Sequence, residues 1–528
     1  VFYLENEKAM LEIIKSIEQG RIKRKEDLHR EKIKIARKYK LGRIPSNSEI
    51  ISFIGEEKVI KEEKYDVLVR KPVRTISGIA VIAVMTSPYP CPHGKCSYCP
   101  GGPERGVPQS YTGLEPATMR AIQNEYHPRK QVEHRINQLR KIGHPVEKAE
   151  VIIMGGTFTA MPYDYQKWFV KEILDGLTGK TTSSIEEAQK IAEKSEIRNT
   201  GLTVETRPDW AKEDQIDRIL SLGATRIELG IQSIYEDVLE RVNRGHTVED
   251  IVEATRIARD SGFKICYHIM PGLPGSDLKR DYKMFERIFR DSQFKPDMIK
   301  IYPCLVIEGT KLYDEWKRGE YTPIRDKEAI ELISKVKGEL IPKWVRTMRI
   351  QRDIPVKAIV DGVKLSNLRE VVLKELKKKG KKCNCIRCRE VGHKYLKEGR
   401  RPKRVEYLIE EYKAGKGKEY FISAEDPEEE ILIGYLRLRR VSRKAHREEL
   451  SGTHVVRELH VYGKSIPIGE RKRRWWQHRG VGRRLLEMAE EISMESGKIS
   501  VLSGIGVREY YYKMGYFKEG PYVSKYLD

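Results

Sequence analysis

The sequence predicts an α/β protein: a parallel sheet built from six βα units, preceded by a basic helical region and followed by a smaller α+β domain. Three observations carry this expectation. From about residue 76 to 340, short apolar runs alternate with amphipathic stretches long enough for helices. Polar residues gather at the ends of those runs, the edge where parallel α/β folds build their sites. Six of the eight cysteines fall in two tight groups, a usage that fits metal ligation better than a disulfide framework.

Residues 1–75 read as a basic helical region. Between Arg21 and Arg43 eleven Lys/Arg stand against three acids, and Ile33, Ile35, Ala36 and Tyr39 supply a narrow apolar face. So one-sided a face suits contact with an RNA backbone better than a neutral, salt-bridged surface. The net charge of +23 over 528 residues also favours a polyanionic partner, nucleic acid first. The six apolar runs are ISGIAVIAVMT (76–86), EVIIMGGTF (150–158), GLTVETRPD (201–209), ATRIELGIQS (224–233), FKICYHIMPGLPG (263–275) and DMIKIYPC (297–304). Residues 341–403 read as a basic connector holding the second cysteine group. Residues 404–528 return to strand patterns, interrupted by a Gly turn and the helix LLEMAEEISMES. The charged start VFYLENEKAM lacks a secretory apolar core, and no apolar run approaches 18 residues, so a cytoplasmic protein without membrane spans is expected.

Cys91, Cys96 and Cys99 form C-x4-C-x2-C, with aromatic Tyr98 before the last cysteine and GGP (101–103) after it. An iron–sulfur cluster normally takes four thiolates. Three at this spacing hold three irons of a 4Fe–4S cubane and leave the fourth open to a ligand, usually the methionine end of S-adenosylmethionine. A zinc site completed by His93 is the alternative. The place of the loop, directly after the first strand of a βα repeat, favours the cluster.

This loop resembles the radical SAM superfamily, whose usual signature is C-x3-C-x2-C; the first gap here is one residue longer. The strings CPHGKCSYCPGGPERGVPQSYTGLEPATMRAIQNEYHP, VIIMGGTFTAMP, TVETRPDW, RIELGIQS and KIYPCLVIEGTKLYDEWKRGEY resemble the Elongator catalytic-subunit family, in its archaeal type, and the likeness covers nearly the whole chain. It implies a partial (β/α)6 radical SAM barrel. By the same resemblance Gly155 and Gly156 meet the amino group of S-adenosylmethionine, Glu228 or Gln232 approaches its ribose or carboxylate, and the backbone from His268 to Gly275 faces the adenine. On the residues alone, the glycine pair is a tight turn and His268 a packed strand residue.

Cys383, Cys385 and Cys388 form C-x-C-x2-C, a zinc-ligand spacing. A closed site needs a fourth ligand. Cys304, at the end of the sixth run, is preferred because a thiolate there would clamp two domains; His393 is the local alternative, and a free thiol is the bland reading of Cys304. Cys266, inside an apolar run, reads as core.

QHRGVGRRLLEMAE (477–490) places Q-x-x-G-x-G at a helix start, where exposed backbone N–H groups cradle a pyrophosphate. Together with VVRELHVYG before it and GIGVREYYYKMGY after it, the order resembles the GNAT acetyltransferase fold. That resemblance implies that Glu458, Leu459, His460 and Val461 line the thioester channel of acetyl-CoA. Gly480, Val481, Gly482 and Arg483 hold its pyrophosphate, Tyr511 stands by the sulfur as general acid, and Lys148 contacts coenzyme A. The family implies a radical route that puts a carboxymethyl group on C5 of the wobble uridine (U34) of tRNA. A protein lysine acetyltransferase with a structural iron–sulfur cluster is the rival, and a tRNA-binding scaffold the third reading. Expected partners are tRNA and acetyl-CoA, with no membrane; other subunits are possible but not required.

Overall fold

The computed structural model describes residues 2–463 and 480–528. Its first unit is helical. Ala9, Ile13 and Ile17 recur every fourth residue along the helix Phe2–Glu18, so they share one face. That face meets Leu28 and Ile35 of the helix Lys25–Lys38 and Ile50 and Ile51 of the helix Asn47–Ile54, and Tyr65 and Leu68 complete this separate small core. Of the apolar face read from the sequence, Ile35 and Ala36 are buried, while Ile33 and Tyr39 are half-buried. Ser46 starts the third helix with a reciprocal cap: its hydroxyl accepts from Glu49 N–H and the Glu49 carboxylate accepts from Ser46 N–H.

The central sheet is parallel, in the order β1-β2-β3-β4-β5-β6-β7. Its strands are β1 (Ala80–Met85), β2 (Lys148–Met154), β3 (Arg198–Thr206), β4 (Arg226–Gln232), β5 (Lys264–Ile269), β6 (Met298–Ile301) and β7 (Arg346–Ile350). Six correspond to the apolar runs. The seventh was not expected. It lies in the stretch read as a connector, because RTMRI carries two arginines and no apolar run, and its pairing with β6 (Met298↔Arg346, Ile301↔Ile350) makes it a strand. Tertiary pairing overrides weak local propensity here.

Side chains alternate along each strand. Ile82, Val84, Val151, Ile153, Leu202, Val204, Ile227, Leu229, Ile265 and Ile299 form one face, all 3% exposed or less, beneath helices such as Pro128–Lys141, Tyr163–Thr178 and Val248–Asp260. Burying each side chain this fully contributes about 1.5–3 kcal/mol. The opposite face alternates Glu150, Glu205, Arg226, Glu228, His268 and Lys300 into the interior of the curled sheet.

The C-terminal sheet has the order β13-β14-β12-β11-β10-β9-β8. Its strands are β8 (Glu406–Ala414), β9 (Gly417–Asp426), β10 (Ile431–Arg440), β11 (His454–Val461), β12 (Lys498–Val501), β13 (Phe517–Glu519) and β14 (Tyr522–Tyr526). β11 and β12 pair in parallel through three residue pairs, His454↔Ile499, Val455↔Ser500 and Val456↔Val501. Beyond them β11 parts from β12 and runs on paired with β10 only. The register against β10 slips at the same place, with Arg437 opposite Glu458 and Leu438 opposite Val456, so Arg457 is a bulge.

The bulge turns Arg457 out of its own ladder and into the barrel. Its guanidinium holds both oxygens of Asp297 (2.6 and 2.7 Å), Glu419 Oε2 (2.8 Å) and Phe263 O (2.8 Å). Arg439 bonds Asp260 Oδ1 at 2.6 and 2.9 Å. Arg457, Asp297, Arg439 and Asp260 are all fully buried. Gly504 sits so close to the start of β3 that a Cβ there would meet Thr200 backbone atoms at 2.4 Å. These contacts fix the C-terminal sheet against the amino edge of the barrel, where β3, β5 and β6 begin.

Candidate active site at the carboxyl edge of the barrel

The loop after β1 carries Cys91, Cys96 and Cys99 to the carboxyl edge of the sheet, and each sulfur has a polar neighbour. Thr157 Oγ1 lies 3.6 Å from Cys91 Sγ, and Gln109 Nε2 donates to Cys99 Sγ at 3.0 Å. Cys96 Sγ takes Arg244 Nη1 at 3.5 Å and His93 Nε2 at 3.3 Å. Arg244 is buried and is anchored on Gly230 O at 2.6 Å. Burial alone would weaken its charge, but Tyr98 and Cys96 beside it hold the guanidinium firmly protonated. Burial raises the Cys91 thiol, opposed by Thr157 and Arg244. Metal binds cysteine as the thiolate, and a buried, fixed cation stands beside the sulfur of Cys96. His93, the alternative zinc ligand, is a hydrogen-bonding neighbour of Cys96.

Cys91 opens onto a cavity that is also lined by Gly156, Gln232, Arg207, Tyr111 and Tyr302, among others. Gly155 and Gly156 follow β2 directly at φ 131° and 103°, a region L side chains rarely adopt. A Cβ on Gly155 would strike Thr86 Oγ1 at 2.0 Å, so the tight turn is real, while Gly156 also faces the cavity. Gln232 ends β4 at φ 65°, strained for a non-glycine residue, and its Oε1 is buried without a hydrogen-bond partner. Arg207 Nη1 is likewise buried and unpartnered. Such orphaned groups on a cavity wall mark where a polar ligand is received.

Glu228 also lines the cavity, but its carboxylate is already engaged. His268 Nε2 lies 2.7 Å away, Arg226 Nε 3.4 Å away, and the Lys300 ammonium pairs with it as well. Burial would raise its pKa, yet Lys300 and His268 hold it well below the usual carboxylate range. The pairing extends in both directions. Arg226 reaches Glu150 near the amino edge, Lys300 reaches Glu205 at 3.5 Å, and Tyr111 donates to Glu205 at 3.2 Å. A ladder of buried charges thus runs up the concave face. Reading apolar runs alone misses it, although the period-2 charges in TVETRPD, RIELGIQ and MIKI were its signal. Cys266 is fully buried, as read, and its sulfur lies within 4.8 Å of ligand atoms on Glu228 and His268.

The Cys383, Cys385 and Cys388 sulfurs converge within 4.8 Å of one another. The preferred fourth ligand does not join them: Cys304 packs instead with Cys96, Tyr98, Cys99 and Tyr321, in a different part of the core. Burial pushes its thiol up to about 12, so it behaves as a neutral core side chain. His393 faces Glu390 at 3.9 Å, and burial lowers its pKa to about 4. The second cysteine group's cationic neighbour is Lys337, with Nζ 4.0 Å from Cys385 Sγ.

On the C-terminal sheet, Glu458, Leu459, His460 and Val461 occupy the part of β11 that diverges from β12. Glu458 accepts from Arg437 Nε at 2.9 Å, and His460 Nε2 lies 3.1 Å from Ser77 O with its ring 4.3 Å from Tyr462. Gly480 and Val481 start the helix Val481–Ser493, and a Cβ on Gly482 would meet both Val461 and the Tyr510 hydroxyl at 3.4 Å. Arg483 points outward and pairs with Glu487 at 3.0 Å. Tyr511 is buried between Tyr510 and Tyr516, so Tyr510 is the tyrosine that reaches this helix start. Gln477, the first residue of Q-x-x-G-x-G, lies outside the described residues. Lys148 begins β2 on the amino edge of the barrel, where burial lowers its pKa. The first set of expected residues therefore lies at the carboxyl edge of the barrel sheet, whereas of the second set only Lys148 is on that sheet, at its amino edge, and the rest belong to the C-terminal unit.

A curled parallel sheet with a three-cysteine loop after its first strand and a polar cavity at its carboxyl edge defines a radical SAM domain. Residues 86–288 match the Radical SAM superfamily and 296–378 the Radical_SAM C-terminal domain. Residues 6–76 match the ELP3 N-terminal domain. The tRNA uridine(34) acetyltransferase of Methanocaldococcus jannaschii is 55% identical over 493 residues, 92% of this chain and 91% of that protein. Elongator complex protein 3 of Homo sapiens is 44% identical, covering 98% of this chain and 95% of that one. The solved structure of Methanocaldococcus infernus Elp3 lacking its N-terminus (1–46) superposes with a TM-score of 0.76 at 48% identity, over 86% of this chain and all of that one. The chain belongs to the Elongator complex protein 3 (Elp3) family. Among the described residues, no helix is long and apolar enough to cross a membrane.

Proposed function

We propose that this protein modifies the wobble uridine of tRNA, placing on C5 a carboxymethyl group drawn from acetyl-CoA. The observation that carries the reading is the cysteine loop: its three thiols have polar neighbours, and Cys91 opens on the same cavity as the orphaned Gln232 amide oxygen. The donor set fits a 4Fe–4S cluster held by Cys91, Cys96 and Cys99, with Gly156 and Gln232 receiving S-adenosylmethionine. Bound there, the cluster and S-adenosylmethionine supply a carbon radical able to take hydrogen from an unactivated methyl group.

The chain's own residues do the rest. Gln109 and Arg244 donate to the sulfurs and spread their negative charge, as outer-shell partners do. Tyr111 and Tyr302 offer aromatic faces on which a base drawn out of its stack can rest. The Glu228–Lys300 pair keeps its charge inside the barrel and holds the cavity floor in one geometry. At the other edge, the gap beside Glu458–Val461 suits a pantetheine arm, and the N–H groups of Gly480, Val481 and Gly482, with Arg483 nearby, suit its pyrophosphate. Lys148 and His460 belong to that end in the GNAT-like reading, and Tyr510, whose hydroxyl faces Gly482, stands nearer to it than the buried Tyr511. C5 of a neutral pyrimidine is a poor acceptor for ordinary acyl transfer, which is why an acyl carrier and a radical source belong in one chain.

Anaerobic incubation with tRNA, acetyl-CoA, S-adenosylmethionine and a reductant should give 5-carboxymethyluridine in nucleoside mass spectra. Acetylated lysine in bystander protein, with unchanged tRNA, would overturn the assignment in favour of a protein acetyltransferase.

The second cysteine group fits zinc, held by Cys383, Cys385 and Cys388 without Cys304. Elemental analysis should find zinc in the purified protein and lose it in Cys385→Ser, with a lower melting temperature; zinc retained in full by that variant would refute the assignment.

A further inference from the structure

Where β11 parts from β12, two of its side chains carry a group able to take a proton, Glu458 and His460. Glu458 is committed elsewhere: its carboxylate accepts from Arg437 Nε at 2.9 Å. Burial would raise its pKa, yet Lys264 and Arg437 hold it below the ordinary carboxylate value, which makes it a poor base. His460 is placed differently. Its Nε2 lies 3.1 Å from Ser77 O. A carbonyl oxygen only accepts, so Nε2 carries the proton and Nδ1 of the neutral ring keeps the lone pair. Burial lowers the pKa of this imidazole, so it is neutral, and the residue is half-buried, not sealed in the core. Ser77 is itself clamped. Its hydroxyl donates to Glu390 Oε1 at 2.7 Å, and Arg346 Nη1 donates to Glu390 Oε2 at 2.8 Å and to the Tyr462 hydroxyl at 2.7 Å. Glu390 is fully buried, and the Tyr462 ring stands 4.3 Å from the His460 ring. The lead-in to β1, the start of β7, the connector and the end of β11 thus meet at one point and fix the imidazole. They meet at the amino edge of the barrel, where β1 begins its pairing with β2 through Ala80↔Ala149, next to Lys148.

We infer that His460 is the general base that activates water, through Nδ1, to cleave the thioester, with Glu390 and Arg346 as its positioning residues. This rests on the acetyl-CoA reading above and adds the step that frees the carboxymethyl group. Nδ1 takes a proton from water, and the water oxygen bonds to the thioester carbonyl carbon. The carbon–sulfur bond breaks, and the proton passes from Nδ1 to the leaving thiolate. A carboxylic acid and the free thiol of coenzyme A result, with no oxidant or reductant consumed. A neutral ring with one nitrogen tied to a carbonyl is the protonation state and tautomer this step needs.

The test uses the full-length protein in the complete anaerobic reaction, with acetyl-CoA affinity read by calorimetry and released coenzyme A by mass spectrometry. His460→Gln keeps a donor for Ser77 O but has no basic nitrogen. It should bind acetyl-CoA within about threefold of wild type and release coenzyme A about 10²- to 10⁴-fold more slowly at saturation, with a coenzyme A thioester accumulating on the tRNA. Glu390→Gln should slow release by up to about 10²-fold at unchanged acetyl-CoA affinity, because the base is misplaced and not removed. If saturated His460→Gln releases coenzyme A at the wild-type rate, however weakly it binds, the base is refuted while the uridine reading stands. Where that variant cannot be saturated, imidazole added to His460→Gly decides: a restored rate supports the base and an unrestored one refutes it. Wild-type protein that binds no acetyl-CoA, or releases no coenzyme A, would fell the acyl-carrier reading and the base with it.

Discussion

Cys96→Ala should abolish formation of modified uridine, more than about 10³-fold below the intact enzyme, with the fold retained. Loss of outer-shell partners at metal sites typically costs 10- to 100-fold, and loss of a ligand costs more. Cys96 is the thiol flanked by both Arg244 and His93, so its removal also strips the Arg244 guanidinium of its sulfur partner. Gln109→Leu provides the graded comparison. It deletes the 3.0 Å donor to Cys99 without touching a ligand and should cost about 10- to 100-fold. Product from anaerobically reconstituted Cys96→Ala at near wild-type rate would show that the cluster is not the source of the chemistry. Retained circular dichroism and an unchanged melting profile of the C-terminal unit would separate this loss from misfolding.

Arg457→Met should destabilise the protein by up to about 3–5 kcal/mol, seen as an earlier midpoint in chemical denaturation, because two buried carboxylates lose the cation they share and keep only Arg437 and Arg439. Asp297 and Glu419 are both 1% exposed or less, and both bind Arg457. Adding Asp297→Asn to Arg457→Met should recover part of the loss, since a buried charge that keeps only the more distant Arg437 disappears. The same pair sets a pH dependence. Burial would raise the Asp297 pKa, but Arg457 and Arg437 reverse this and hold it well below its ordinary value. A carboxylate with a depressed folded-state pKa adds stability that is complete above its unfolded value, about 3.9, and lost as pH falls below it. Wild-type protein should therefore lose stability steeply in that acid range, and Asp297→Asn should lose less. A single variant costing under about 1 kcal/mol, or identical acid profiles for the two proteins, would show that this network does not fix the two sheets together.

Much of this arrangement was legible in the sequence where chemistry leaves a local mark. The three-cysteine loop needs its spacing, and the apolar runs need two buried faces, so both stand out. β7 did not, because RTMRI is held by pairing with β6 and not by its own pattern. The charges on the concave face were visible as residues but not as a ladder: Glu150, Arg226, Glu228 and Lys300 come from three strands, and only curling brings them together. Cys304 shows the opposite failure. Its position at the end of a strand suggested a bridge to the second cysteine group, whereas the fold turns its sulfur toward Tyr321 and the first cysteine loop. Tyr511 was singled out from a run of three tyrosines, and helical geometry sends it into the core while Tyr510 faces Gly482.

The central claim is that one chain joins radical generation at the carboxyl edge to an acyl carrier at the amino edge. Anaerobic turnover with acetyl-CoA deuterated on its methyl group tests this most directly. The account predicts deuterium in the 5′-deoxyadenosine released and a labelled carboxymethyl group on U34. Deoxyadenosine without deuterium, or label found only in free acetate or in an N-acetyl group, would contradict it.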